Sequence, residues 1–105
     1  MLKTLFIIFI FTSILNASSA SIIKMEKDCD FIILKDNMYN TIVQWISKDN
    51  IDKSHIFIGD FYKKGIINVY NINSHKEIPI WIESHSKSEN NINKKYDELC
   101  NPSYF

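Results

Sequence analysis

The sequence predicts an α+β domain in which one main amphipathic helix packs on a small, mostly antiparallel sheet. Three observations point there. From His55 to Trp81 the chain reads as three strands joined by two turns. After Asp36, the residues Tyr39, Ile42, Val43 and Ile46 fall at i, i+3, i+4 and i+7, the period of a helix with one buried face. The only two cysteines, Cys29 and Cys100, bracket both regions.

In the strand region, Ile56, Phe57 and Ile58 form a continuous apolar run closed by Gly59, which suits a strand covered on both faces. Lys63-Lys64-Gly65 supplies a turn, and Ile66 to Ile72 is rich in β-branched and aromatic residues. Asn73 to Glu77 is a second, polar turn. Ile78, Ile80 and Ile82 then alternate with Pro79, Trp81 and Glu83, a half-buried strand that Pro79 marks as an edge or a strand start, since it has no N–H to donate. Upstream, Phe31 to Leu34 reads as a strand. Asp36 or Asn37 caps the expected helix, Trp45 belongs to its buried stripe, and Lys48-Asp49-Asn50 ends it. Ser84 to Asn93, apolar only at Ile92, reads as a long exposed loop and the expected contact surface, followed by a short helical turn from Asn93 to Leu99.

Met1 to Ala20 has the layout of a secretory signal: Lys3, the apolar run Leu5 to Leu15, then Ala17-Ser18-Ser19-Ala20. The apolar run is too short for a permanent membrane span, which needs about 20 residues. Cleavage is expected after Ala20, leaving residues 21–105 as a single secreted domain, extracellular or periplasmic, without a stable membrane anchor. So short an exported chain has a marginal core, and its even cysteine count is most simply one disulfide.

The chain carries twelve basic and twelve acidic residues, and every basic one is lysine. Neutrality argues against a nucleic-acid partner, because phosphate binding needs a concentrated positive footprint. His55, His75 and His85 lack zinc-ligand spacing, and no nucleophile elbow, P-loop or dinucleotide fingerprint is present, so no enzyme activity is expected.

Between Cys29 and Cys100 the order of motifs resembles the middle of a C-type lectin-like domain. Cys29 leads into the strand Phe31 to Leu34 and the expected helix around Trp45, and Phe57-Ile58-Gly59-Asp60 stands where W-I-G-L would. Tyr70 falls at the second aromatic of W-x-W, with Trp81 eleven residues later; Glu89-Asn90-Asn91 resembles E-P-N, and Glu98 lies two residues before Cys100. The W-N-D strand, the closing strand and two later cysteines have no counterpart here. The resemblance implies a secreted, non-enzymatic recognition module binding a glycan or a protein, with Glu89, Asn91 and Glu98 as its ligand-binding loop and as calcium ligands. Because Asn90 replaces the family's proline and the W-N-D ligands are missing, any calcium would be held weakly. In that family Cys29 and Cys100 would each pair with a cysteine absent here, so they pair with each other, pair between chains or stay free. The competing expectation is a small secreted or periplasmic inhibitor or interaction protein: a helix over a three-stranded meander from 55 to 83, its ends clamped by Cys29 and Cys100.

Overall fold

The computed structural model describes residues 17–46 and 51–101. The apolar run from Leu5 to Leu15, the Lys48-Asp49-Asn50 stop and the last four residues lie outside them. The described residues form six strands, β1 (Ser18–Met25), β2 (Phe31–Lys35), β3 (Asn40–Trp45), β4 (Ile56–Gly59), β5 (Gly65–Asn71) and β6 (Lys76–Ser86), and one helix, α1 (Glu89–Cys100). All neighbouring strands are antiparallel, and the order β1-β2-β3-β6-β5-β4 closes into a barrel. Two meanders, β1-β2-β3 and β4-β5-β6, are joined because β4 returns beside β1, the Greek-key arrangement. Closure removes the exposed sheet edges that a small open sheet would present.

This corrects the expected helix on a small sheet: the stretch expected to be helical is strand β3, and the helix lies at the other end of the domain. Thr41, Ile42 and Val43 are three consecutive β-branched residues, stiff at χ1 and poor helix formers. Their apparent helical period arises because β3 is covered on both sides. Val43 points into the barrel with Ile22, Ile32, Leu34, Phe57, Val69, Ile78, Ile80 and Ile82. Ile42 points outward with Ile33, beneath Ile92 and Tyr96 of α1. Trp45 packs against the barrel core and meets Phe57 edge to face. Asp36 does cap, but it caps a hairpin turn: its Oδ1 accepts from the N–H groups of Met38 and Tyr39, both at 2.8 Å, between β2 and β3. An Asx turn and a helix cap use the same hydrogen bonds, so the sequence signal is shared.

The Ser84–Asn93 loop is likewise corrected. Ser84 to Ser86 complete β6, and Ser88 is the helix N-cap, its Oγ accepting from the Asn91 N–H at 3.2 Å. Ile92, Tyr96 and Leu99 form the helix's apolar stripe at i, i+4 and i+7. Tyr96 is fully buried; its hydroxyl donates to the Phe31 carbonyl at 2.8 Å and accepts from the Glu26 N–H at 3.1 Å. Cys29 and Cys100 are disulfide-bonded to each other, with Cα atoms 5.5 Å apart, so the end of α1 is tied to the β1–β2 connection.

Register is interrupted at Ile22/Lys24 of β1 and at Ile42/Val43 opposite β6. Such bulges increase local twist and help a sheet curl into a barrel. The first lets adjacent residues serve two cores, Ile22 inside and Ile23 under the helix. Pro79 pairs with Asn68 of β5 and lies beyond Ile80, the last β6 residue opposite β3, so one side is open there and a missing N–H is tolerated. Gly59 is required by close approach, since a Cβ there would lie 2.6 Å from Val69 Cγ1. β1 begins at Ser18, so the barrel incorporates Ser18-Ser19-Ala20 from the segment assigned to the signal.

Candidate functional site

Alternation along β4, β5 and β6 sends Phe57, Val69, Ile78, Ile80 and Ile82 inward and their neighbours outward. On most strands those outward neighbours would be polar. Here they include Ile58, Ile66, Tyr70 and Trp81, each at least 37 % exposed, with Ile66 reaching 66 %. The registers place them side by side: Ile58 opposite Tyr70, and Ile66 opposite Trp81. Opposed residues on one sheet face stand about 5 Å apart, so each pair forms one apolar contact; the two pairs lie four residues, about 13 Å, apart along β5, with the exposed Asn68 opposite Pro79 between them. Polar groups frame the face. Trp81 Nε1 donates to Glu83 Oε2 at 3.0 Å, and the Tyr70 hydroxyl lies 3.3 Å from His75 Nδ1. The other half of the barrel has its outward apolar residues covered by α1. The β4-β5-β6 face has no such cover among the described residues.

A cavity of about 380 Å³ opens where β1 ends, lined by Met25, Glu26, Cys29, Ile32, Trp45 and Ile51. Lys27 and Asp30 complete a lining that mixes apolar and charged side chains. The buried Trp45 Nε1 has no hydrogen-bond partner among the described residues.

At the opposite end Asp36 gathers four donors. Oδ2 accepts from the Tyr62 hydroxyl at 2.7 Å and from Ser18 Oγ at 3.2 Å, while Oδ1 takes the two turn N–H groups. Partial burial pushes this carboxyl up, but the hydrogen bonds from Tyr39, Tyr62, Met38 and Ser18 outweigh it and hold the group below its ordinary value. The bond to Asp36 raises Tyr62, with burial and the carboxylate charge acting in the same direction. A carboxylate so fully engaged ties the start of β1 and two loops together and has little left with which to act as a base.

The residues singled out from the sequence fall elsewhere. Glu89 and Asn91 lie in the first turn of α1 and Glu98 in its last, so they sit on a helix and not on a loop. Glu98 follows Glu89 by nine positions, which in an α-helix is about 13 Å along the axis and about half a turn around it. The helix therefore does not bring these two carboxylates together on one ion, whose ligand oxygens lie about 2.4 Å from it. Among the described residues, no three His, Cys, Asp or Glu side chains converge as a metal-ligand set. Trp81 and Tyr70, read from the sequence as strand residues and motif positions, are brought into the exposed face with Ile66; Ile58, expected in a strand covered on both faces, is there too, because only Phe57 of that run points into the barrel. A signal was present: Ile66, Ile67, Val69 and Tyr70 are apolar in both phases of one strand, which requires cover on both sides. No known protein family, curated relative or solved structure matches the chain.

Proposed function

We propose that this chain is a secreted, non-enzymatic interaction module that recognises a protein through the outer face of β4-β5-β6. The observation that carries the reading is that one sheet face exposes two apolar pairs, Ile58 with Tyr70 and Ile66 with Trp81, without cover among the described residues, on a barrel whose other outward apolar surface lies under a helix. Leaving large apolar side chains in water forgoes about 1.5–3 kcal/mol each, a disadvantage that partner burial removes. Tyr and Trp, which combine broad apolar area with a polar tip, are the residues in which interface energy concentrates. Of the small interaction-protein reading, the β4-β5-β6 meander and the Cys29–Cys100 link are present, but the meander is half of a six-stranded barrel and the helix packs over Ile33 and Ile42 of the other half. The disulfide, and the lack among the described residues of a helix long and apolar enough to cross a membrane, are compatible with export. Glycan binding is the alternative the C-type lectin-like resemblance implies, and it predicts a calcium-dependent ligand.

Affinity capture from the exported fraction, with the partner identified and rebound in purified form, tests the proposal. A protein bound by the wild type, lost to Ile66→Ser/Trp81→Ser and retained by Glu89→Gln/Glu98→Gln supports it. A partner indifferent to the double face variant, or a glycan bound only with calcium, overturns it.

A further inference from the structure

The start of β1 bears on where the chain is processed. Signal-peptidase sites carry small residues at their −1 position, and both Ala17 and Ala20 qualify. Small residues at −3 and −1, Ser18 and Ala20, favour the second site. Packing favours the first. Four residue pairs join β1 to β4: Ser18 with Gly59, Ser19 with Ile58, Ala20 with Phe57, and Ser21 with Ile56. Hydrolysis after Ala20 would remove three of the four and leave β4 almost unpaired on that side. It would also remove Ala20, which is 3 % exposed in the barrel core beside the fully buried Phe57, and would break the hydrogen bond from Ser18 Oγ to Asp36. Ala17 is exposed and precedes the strand.

We infer that the mature protein begins at Ser18, through cleavage of the Ala17–Ser18 peptide bond, an inference that rests on the secretion reading above. In this hydrolysis the C–N bond between Ala17 and Ser18 breaks. Water supplies the hydroxyl of the new Ala17 carboxyl group and a proton to the new Ser18 amine. Every β1 residue paired with β4 is kept and the barrel closes. The new α-ammonium also belongs to a residue whose Oγ already lies 3.2 Å from Asp36 Oδ2, so its charge is placed near a carboxylate, a favourable arrangement that cleavage after Ala20 would forgo.

The test is expression of the full chain in an exporting host, with intact mass and amino-terminal sequencing of the soluble exported product. The expected amino terminus is Ser18. In a parallel chain carrying Ala17→Leu, an exposed position outside the barrel core, the Ser18 product is expected to fall at least tenfold while the precursor accumulates. A product beginning at Ser21 in both chains would overturn the inference and leave the secretion reading standing. A protein that retains Met1 in both would overturn the secretion reading itself.

Discussion

Removing a single oxygen from Tyr96 tests whether α1 is docked on the barrel as described. The phenol is buried, and its hydroxyl satisfies two backbone groups from different elements, the Phe31 carbonyl at the start of β2 and the Glu26 N–H just after β1. Tyr96→Phe keeps the ring, so its packing against Ile33, Ile42 and Ile92 and its place under Lys24 Nζ, 5.1 Å from the ring centroid, are unchanged. What is lost is two hydrogen bonds, each with a net value of about 1 kcal/mol, with more at stake where the orphaned partner stays dry. The expected destabilisation is therefore about 2 kcal/mol. For a domain of this size that lowers the thermal midpoint by about 8–16 °C. Differential scanning calorimetry of oxidised wild type and variant measures it, and far-ultraviolet circular dichroism checks that the helix remains. Tyr96→Ala, which also removes the ring, should cost about 3–5 kcal/mol. A midpoint for Tyr96→Phe within about 2 °C of wild type would refute the reasoning, because it would mean that water reaches both backbone groups and that the helix does not seal this face.

Gly59→Ala should destabilise by about 2 kcal/mol, read from urea midpoints, because its Cβ meets the buried, β-branched Val69; Gly65→Ala, with nothing closer than 3.9 Å, meets only the strain of a φ of +90° and should cost about 1 kcal/mol. Replacing Cys29 and Cys100 together by serine should remove about 4 kcal/mol, the chain-entropy value for a 71-residue closure, and a loss below about 1 kcal/mol would show that the unfolded chain is not the state the disulfide constrains. Asp36 has a folded pKa below its unfolded one, so its contribution is present above the unfolded value, near 4, and is lost as pH falls through the lowered folded value; urea midpoints from pH 6 to 2 should fall less steeply for Asp36→Asn than for wild type. Millimolar calcium should leave the thermal midpoint of the wild type unmoved, since Glu89 and Glu98 lie on opposite sides of α1, and a rise abolished by Glu89→Gln/Glu98→Gln would show a site assembled in some other way.

What the sequence alone determined is local. The strands β4, β5 and β6 and their turns were legible because Gly59, Gly65 and the polar Asn73 to Glu77 segment punctuate β-branched runs, and a run with a single period or a clear stop can be read without knowing its neighbours. The cysteine count in a short chain likewise anticipated the Cys29–Cys100 pairing observed in the fold. What only the tertiary structure decided is which surfaces face each other. Residues 39–46 carry apolar side chains in both phases, and the same letters suit a buried helix or a strand with cover on two sides. The choice fell to the strand when closure of the barrel put Val43 inside and the docking of α1 put Ile42 beneath Ile92 and Tyr96. That helix was itself hard to read, because three apolar residues over twelve make a weak stripe until a matching groove between strands exists to receive them. The exposed face followed the same logic: along the chain Ile58, Ile66, Tyr70 and Trp81 are strand residues or motif positions, and they share a surface only when the barrel aligns three strands while α1 covers the other side.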